Sequence, residues 1–236
     1  MAKRALITIG CDVDSCAGWL GSYHGEDSPN DMSRGVFAAE VGVPRLLKLF
    51  RRYGITASFF IPGHTLDSFP DEMAEIVKEG HEVGLHGYSH ENPVAMTVEQ
   101  QKEVRSLLHV RRLPPLPATD SPFVQILDHT YEQLTKLAGK PPVGSVAPWW
   151  ESSKEGIALL QEKGILYDHS SQAHDCMPFY TRTEDTWTKI DYSAKSAKSW
   201  MKPLVKGELT SLVTIPAKCV PLSRSQLSQI ALPCKS

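Results

Sequence analysis

Apolar and polar positions follow two rhythms along this chain. Short β-branched or aromatic runs alternate with longer stretches whose apolar residues fall three and four apart. Residues 5–10 (ALITIG) read as a buried strand ended by glycine, which leaves Asp12 and Asp14 just beyond its C-terminal end. Over residues 40–53, Val43, Leu46, Leu47 and Phe50 form one stripe with Lys and Arg opposite, an amphipathic helix closed by Gly54. Residues 57–61 (ASFFI) are a second strand, stopped by Pro62 and Gly63. A helix over 70–78 carries proline in its first turn and Gly80 after its end, and a third strand over 82–85 leads into His86.

The alternation continues. Thr97 is a fitting N-cap for a helix over 97–109, and residues 128–138 form another that ends at Gly139. Strands are predicted over 143–146, 165–167 and 212–215, with a helix over 151–163 stopped by Gly164. Two segments break the rhythm. Residues 111–124 (RRLPPLPATDSPFV) hold four prolines and read as a loop insert, and residues 217–236 are polar and aperiodic, a tail. The expected organisation is one domain over 1–216 followed by that tail. Strands alternating with helices predict an α/β fold with a parallel sheet or barrel, where chemistry gathers at the C-terminal strand ends.

A net charge of -2 gives no basic footprint for nucleic acid, and no run of about 18 apolar residues exists for a membrane span. The short apolar run at the N-terminus is not that of a secretory signal, so the expected location is cytoplasmic. Five cysteines without regular spacing fit reduced thiols rather than a disulfide framework.

Asp12, Asp14, His64, His86 and His90 all follow predicted strand ends. If His86 and His90 lie on one helical turn they point the same way, and a carboxylate from elsewhere completes a three-ligand site with an open position for water. Asp14, His86 and His90 are the candidate ligands, with Asp12 as general base. Imidazole with carboxylate favours zinc among divalent metals. Magnesium on Asp12 and Asp14 would leave the histidines idle, and a solvated acidic turn would need no metal at all. His64, Trp149 and Trp150 are candidate walls for a substrate, each with a packing role as the plain alternative.

The segments DVD at 12–14, DSPNDMSRG at 27–35, SFFIPGH at 58–64, EVGLHGYSHENP at 82–93 and APWWE at 147–151 resemble the polysaccharide deacetylase (NodB-homology) family. The likeness is to its peptidoglycan-deacetylase-like and cyclic-imidase-like branch, and it covers residues 3–110 and 126–216. The resemblance implies a distorted (β/α) barrel, incomplete at its C-terminal end. It also implies Asp12 as base and Asp14, His86 and His90 as metal ligands. The family's late histidine and its arginine before the proline of the third motif are missing here, and the insert at 111–124 has no counterpart in the family pattern. One explanation is that insert and tail are non-native coding sequence, such as unspliced introns. The implied activity is hydrolysis of a non-peptide carbon–nitrogen bond in an N-acetylated carbohydrate such as chitin or peptidoglycan. A small cytosolic cyclic imide or ureide is the alternative substrate. A truncated, inactive product is the other alternative, whose open sheet edges would invite a homo-oligomer.

Overall fold

The computed structural model describes residues 7–23, 25, 28–95, 122–193 and 195–216. The predicted helix over 97–109, the tail and most of the insert fall outside them. The chain runs β1 (Gly10–Asp12), α1 (Ser15–Gly21), α2 (Pro29–Phe37), a π-helical turn (Ala38–Gly42), α3 (Val43–Tyr53), β2 (Ser58–Ile61), α4 (Gly63–Ser68), α5 (Pro70–Lys78) and β3 (Glu82–Leu85). After the undescribed stretch come α6 (Pro122–Ala138), β4 (Gly144–Ser145), α7 (Lys154–Glu162), β5 (Tyr167–Asp168), β6 (Phe179–Thr183) and β7 (Glu208–Thr214).

The strands form one sheet in the order β1-β2-β3-β4-β5-β7-β6. Neighbours are parallel except β6, which runs antiparallel to β7 at the far edge. The architecture is thus the expected barrel type, left open between β1 and β6 among the described residues. Register sets Asp12 opposite Phe60, Ile61 opposite Leu85, Leu85 opposite Ser145, and Ser145 opposite Asp168, so these strands end on a common rim. Side chains just past that rim converge.

β2 reads as a continuous apolar run because both its faces are covered. Phe59, Phe60 and Ile61 are fully buried, worth about 1.5–3 kcal/mol each. Phe59 faces Phe50 of α3 with ring centroids 6.1 Å apart, while Phe60 lies 6.4 Å from Tyr167 of β5 and 5.2 Å from His169 just past it, across the intervening strands of the curved sheet. Gly84 makes that room, since a Cβ there would sit 2.7 Å from the Phe60 ring. The stripe expected on α3 is buried at Val43, Leu47 and Phe50.

Several boundaries moved, each for a local reason. β1 starts at Gly10 and not at residue 5, because its partner β2 begins at Ser58, opposite Gly10; Ile7 is exposed. The helix expected from 128 begins at Pro122, so the last residues of the insert belong to it. α7 starts at Lys154 because the Ser153 hydroxyl accepts from the Gly156 N–H and caps it. Three helices and one strand went unread: α1; α2, capped by Ser28 with Pro29 at its first position; α4; and β6, a short edge strand with a bulge.

Candidate active site

Each ligand candidate reaches the rim by a different device. Asp14 lies two residues past β1, and its carbonyl accepts from Thr65 Oγ1 of α4 at 2.8 Å and from the Ala17 N–H at 2.9 Å. Its backbone is therefore pinned between α1 and α4. His86 directly follows β3. The segment from His86 to His90 is not the helical turn expected from the spacing. It is a loop with Gly87 and His90 both in the left-handed region (φ 68° and 59°). The Glu91 carboxylate accepts from the N–H groups of Tyr88 and Ser89, and the Gly87 carbonyl accepts from Gly63 N–H and Thr130 Oγ1. These bonds hold a curl that a helix would not make. The two imidazoles still converge, with ring centroids 4.9 Å apart.

The structure brings Asp14, His86 and His90 together. His86 Nε2 is 3.1 Å from Asp14 Oδ1, and His90 Nε2 is 3.6 Å from Asp14 Oδ2. The ligand atoms of the three residues lie within 4.8 Å of one another. His86 Nδ1 is 2.8 Å from the Val146 carbonyl, which can only accept. Nδ1 therefore carries the proton, and the Nε2 lone pair faces Asp14. Both Asp14 Oδ1 and His86 Nε2 are buried, and neither has a partner in hydrogen-bond geometry. Two facing acceptors in a buried site repel unless a cation or proton lies between them. That donor set fits a divalent metal.

Without an ion, a proton can take the place between Asp14 and His86, and the three groups shift one another's titration. Burial raises the Asp14 carboxyl, but His86 and then His90 more than offset this and hold it below the usual carboxylate range. Burial pushes His86 down, yet Asp14, Asp12 and the Val146 carbonyl leave it raised, whereas burial and neighbouring His86 keep His90 low. Asp12 is exposed at the end of β1, and its charge acts on both imidazoles. Beside it, burial and then the Asp12 charge push the Cys11 thiol up to about 11. Cys11 is not among the residues whose ligand atoms gather at the cluster.

His90 is held from three sides. Its Nδ1 is hydrogen-bonded to the Ser22 hydroxyl, its carbonyl accepts from Trp149 Nε1 at 3.2 Å, and Gly21 packs against its backbone. Sequence reading missed Ser22, which lies just after α1 and follows no strand. Trp149 and Trp150 are both left-handed, at φ 63° and 56°, and Trp149 is half exposed beside the site. His64 stands apart from the ligand cluster in α4, its ring 6.1 Å from Tyr88 and its Nδ1 3.4 Å from Ser68 Oγ. One other described cluster, His174 with Asp175 and Cys176, is exposed on consecutive residues. There His174 Nδ1 already accepts N–H groups from Cys176 and Met177.

An open barrel of parallel strands, with two imidazoles and a carboxylate gathered at its C-terminal rim, defines a class of α/β proteins with a metal-type site. The sequence profile of the polysaccharide deacetylase family matches residues 30–106, a span that includes both histidines. A peptidoglycan deacetylase from Helicobacter pylori is 50% identical over 217 residues, 92% of this chain and 66% of that protein. A peptidoglycan deacetylase-like protein from Gibberella zeae is 37% identical over 218 residues, 91% of this chain and 58% of that protein. The chain belongs to the polysaccharide deacetylase family. It spans roughly three-fifths to two-thirds of the length of these relatives.

Among solved structures, a candidate polysaccharide deacetylase from Mycobacterium smegmatis superposes with a TM-score of 0.61 at 26% identity, over 90% of this chain and 58% of that one. An allantoinase superposes with a TM-score of 0.57 at 18% identity, over 89% of this chain and 61% of that one, a likeness of fold alone. These relatives lend no support to the cyclic imide or inactive-product alternatives. No described helix is long and apolar enough to cross a membrane.

Proposed function

We propose that this chain is a metal-dependent hydrolase that removes N-acetyl groups from a carbohydrate polymer of the peptidoglycan type. The observation that carries the reading is the facing pair of buried, unpartnered atoms, Asp14 Oδ1 and His86 Nε2, 3.1 Å apart. The two peptidoglycan deacetylase relatives support the substrate class.

Asp14, His86 and His90 would hold the ion, and imidazole with carboxylate favours zinc. A divalent ion there supplies Lewis acidity, polarising an amide carbonyl and lowering the pKa of water. Asp12, exposed beside the cluster, takes a proton from the water whose oxygen adds to the acetyl carbon and returns it to the sugar nitrogen as the carbon–nitrogen bond breaks, so that acetate and a free amine leave. Trp149, half exposed beside His90, offers an apolar wall to the sugar.

The test is metal content and acetate release from N-acetylglucosamine oligomers and peptidoglycan. About one zinc per chain is expected, as a single three-ligand site holds. Release should stop on chelation and return with zinc, and His86→Ala should lose both metal and activity. Soluble, folded protein that takes up no zinc and releases no acetate overturns the proposal.

A further inference from the structure

One buried carboxylate has no place in the site described so far. Asp168 ends β5 on the common rim and is only 4% exposed. Its Oδ1 accepts from the Ser170 N–H at 2.7 Å, and its Oδ2 accepts from the hydroxyls of Ser145 at 2.7 Å and Ser170 at 3.0 Å. A carboxylate is costly to bury, and a neutral side chain would close this corner of the sheet with less desolvation. Its partners point to a reason for its presence.

The Ala147 N–H donates to Ser170 Oγ at 2.8 Å. An amide N–H can only donate, so it occupies a lone pair of that hydroxyl, and the hydroxyl proton turns to Asp168. The same peptide unit presents its other end, the Val146 carbonyl, to His86 Nδ1 at 2.8 Å. The order is therefore fixed by donors and acceptors. His86 Nδ1–H donates to the Val146 carbonyl, the Ala147 N–H to Ser170, and the Ser170 hydroxyl to Asp168. Hydrogen bonds joined in this sense polarise one another in a buried setting. The Val146–Ala147 peptide is fixed at its own N–H by Ser170, and the preceding peptide is tied to the sheet by the Val146 N–H bonded to the Leu85 carbonyl at 2.9 Å.

We propose that Asp168 is a positioning residue for His86, acting through Ser170 and the Val146–Ala147 peptide to orient the imidazole and make its Nε2 a better donor to a metal. The proposal rests on the reading of Asp14, His86 and His90 as a metal site. Partners that accept from the outer nitrogen of a ligating histidine typically change metal affinity by about 10–100-fold when removed. Here the carboxylate works at a distance through a serine and a peptide. Ser145 supplies the internal control, since it donates to the same carboxylate oxygen and lies off the relay.

The experiment compares full-length wild type with Asp168→Asn, Ser170→Ala and Ser145→Ala. Zinc affinity is read by competition with a chromophoric chelator. Solvent exchange of the His86 Nδ1 proton is read by NMR in the metal-free protein. Ser170→Ala and Asp168→Asn should each weaken zinc binding by about 10–100-fold and speed the exchange, while Ser145→Ala should leave both within about twofold. Ser170→Ala keeps the Ser145 and backbone bonds to Asp168, so it decides the matter if Asp168→Asn does not fold. Equal losses in all three variants, or no loss in Ser170→Ala, overturn the relay. If wild type takes up no zinc, the metal reading fails, and the exchange comparison still decides whether the relay exists.

Discussion

Gly21 sits at the C-terminal end of α1, where alanine is ordinarily the better helix former by about 1 kcal/mol. Its surroundings reverse the sign. A Cβ there would lie 2.5 Å from the carbonyl carbon of His90 and closer still to the carbonyl oxygens of Ser89 and His90. Ordinary contact begins at 3.4 Å and the nearest atom is the Ser89 carbonyl oxygen, so the two backbones would have to part by about 1.2 Å. Main-chain atoms held by the Glu91 bonds and by Trp149 cannot rotate aside as a flexible side chain would. Overpacking of this kind costs typically about 1–3 kcal/mol, which outweighs the propensity gain. Because the strain falls on His90, it also separates Ser22 from Nδ1 and spoils the ligand geometry, where a misplacement near 1 Å can cost about a hundredfold in activity. Gly21→Ala should therefore lower the thermal midpoint and weaken zinc affinity together. Gly42→Ala, where a Cβ meets only the Phe37 carbonyl oxygen at 3.8 Å, should gain stability and leave the site alone. The measurements are calorimetry and chelator competition on both variants. A Gly21→Ala protein with unchanged midpoint and zinc affinity would refute the packing of α1 on the histidine loop.

Two further outcomes follow from single contacts. Trp149→Phe keeps an apolar wall but loses the indole N–H bond to His90, a loss of about 0.5–1.5 kcal/mol, so metal affinity should fall by up to about tenfold, while an unchanged affinity would show that the bond does not hold His90. Asp185 is drawn down to about 2 by the Arg182 guanidinium and then by the Gly207 N–H. Its folded value is below its unfolded one near 3.9. The stability it adds is therefore present above about pH 4 and lost as pH falls toward 2. Urea midpoints of wild type and Asp185→Asn should differ at pH 6 and converge near pH 2, and a gap constant with pH would count against the assignment.

The candidate ligand set was legible because strand ends are legible. Short apolar runs marked β1 and β3, and residues just past a run were candidates, which is how Asp14 and His86 were found. The geometry between them was not legible. A spacing of four suggested a helical turn, but Gly87 permits a left-handed step and Glu91 caps the curl, a tertiary solution that spacing cannot encode. Ser22 and Ser170 were missed for a related reason. Their hydrogen bonds reach across 68 residues of chain for Ser22 and 23 for Ser170, and a serine carries no periodic signal. Asp168 did carry one. It ends a predicted strand region as Asp12 does, and the strand-end rule applied evenly along the chain would have raised it. The missed α2 had its own signature in Ser28-Pro29, a cap followed by proline.

β1 is three residues long and, among the described residues, pairs only with β2, whereas β3 lies between β2 and β4. Asp14 thus rides beside the sheet's margin and His86 within its interior, so an ion shared between them would tie margin to interior across the top of β2. Fraying of that margin would be the first event in letting such an ion go. Amide exchange in β1 should then slow as zinc is added, while exchange in β2 and β3, already shielded, should change little.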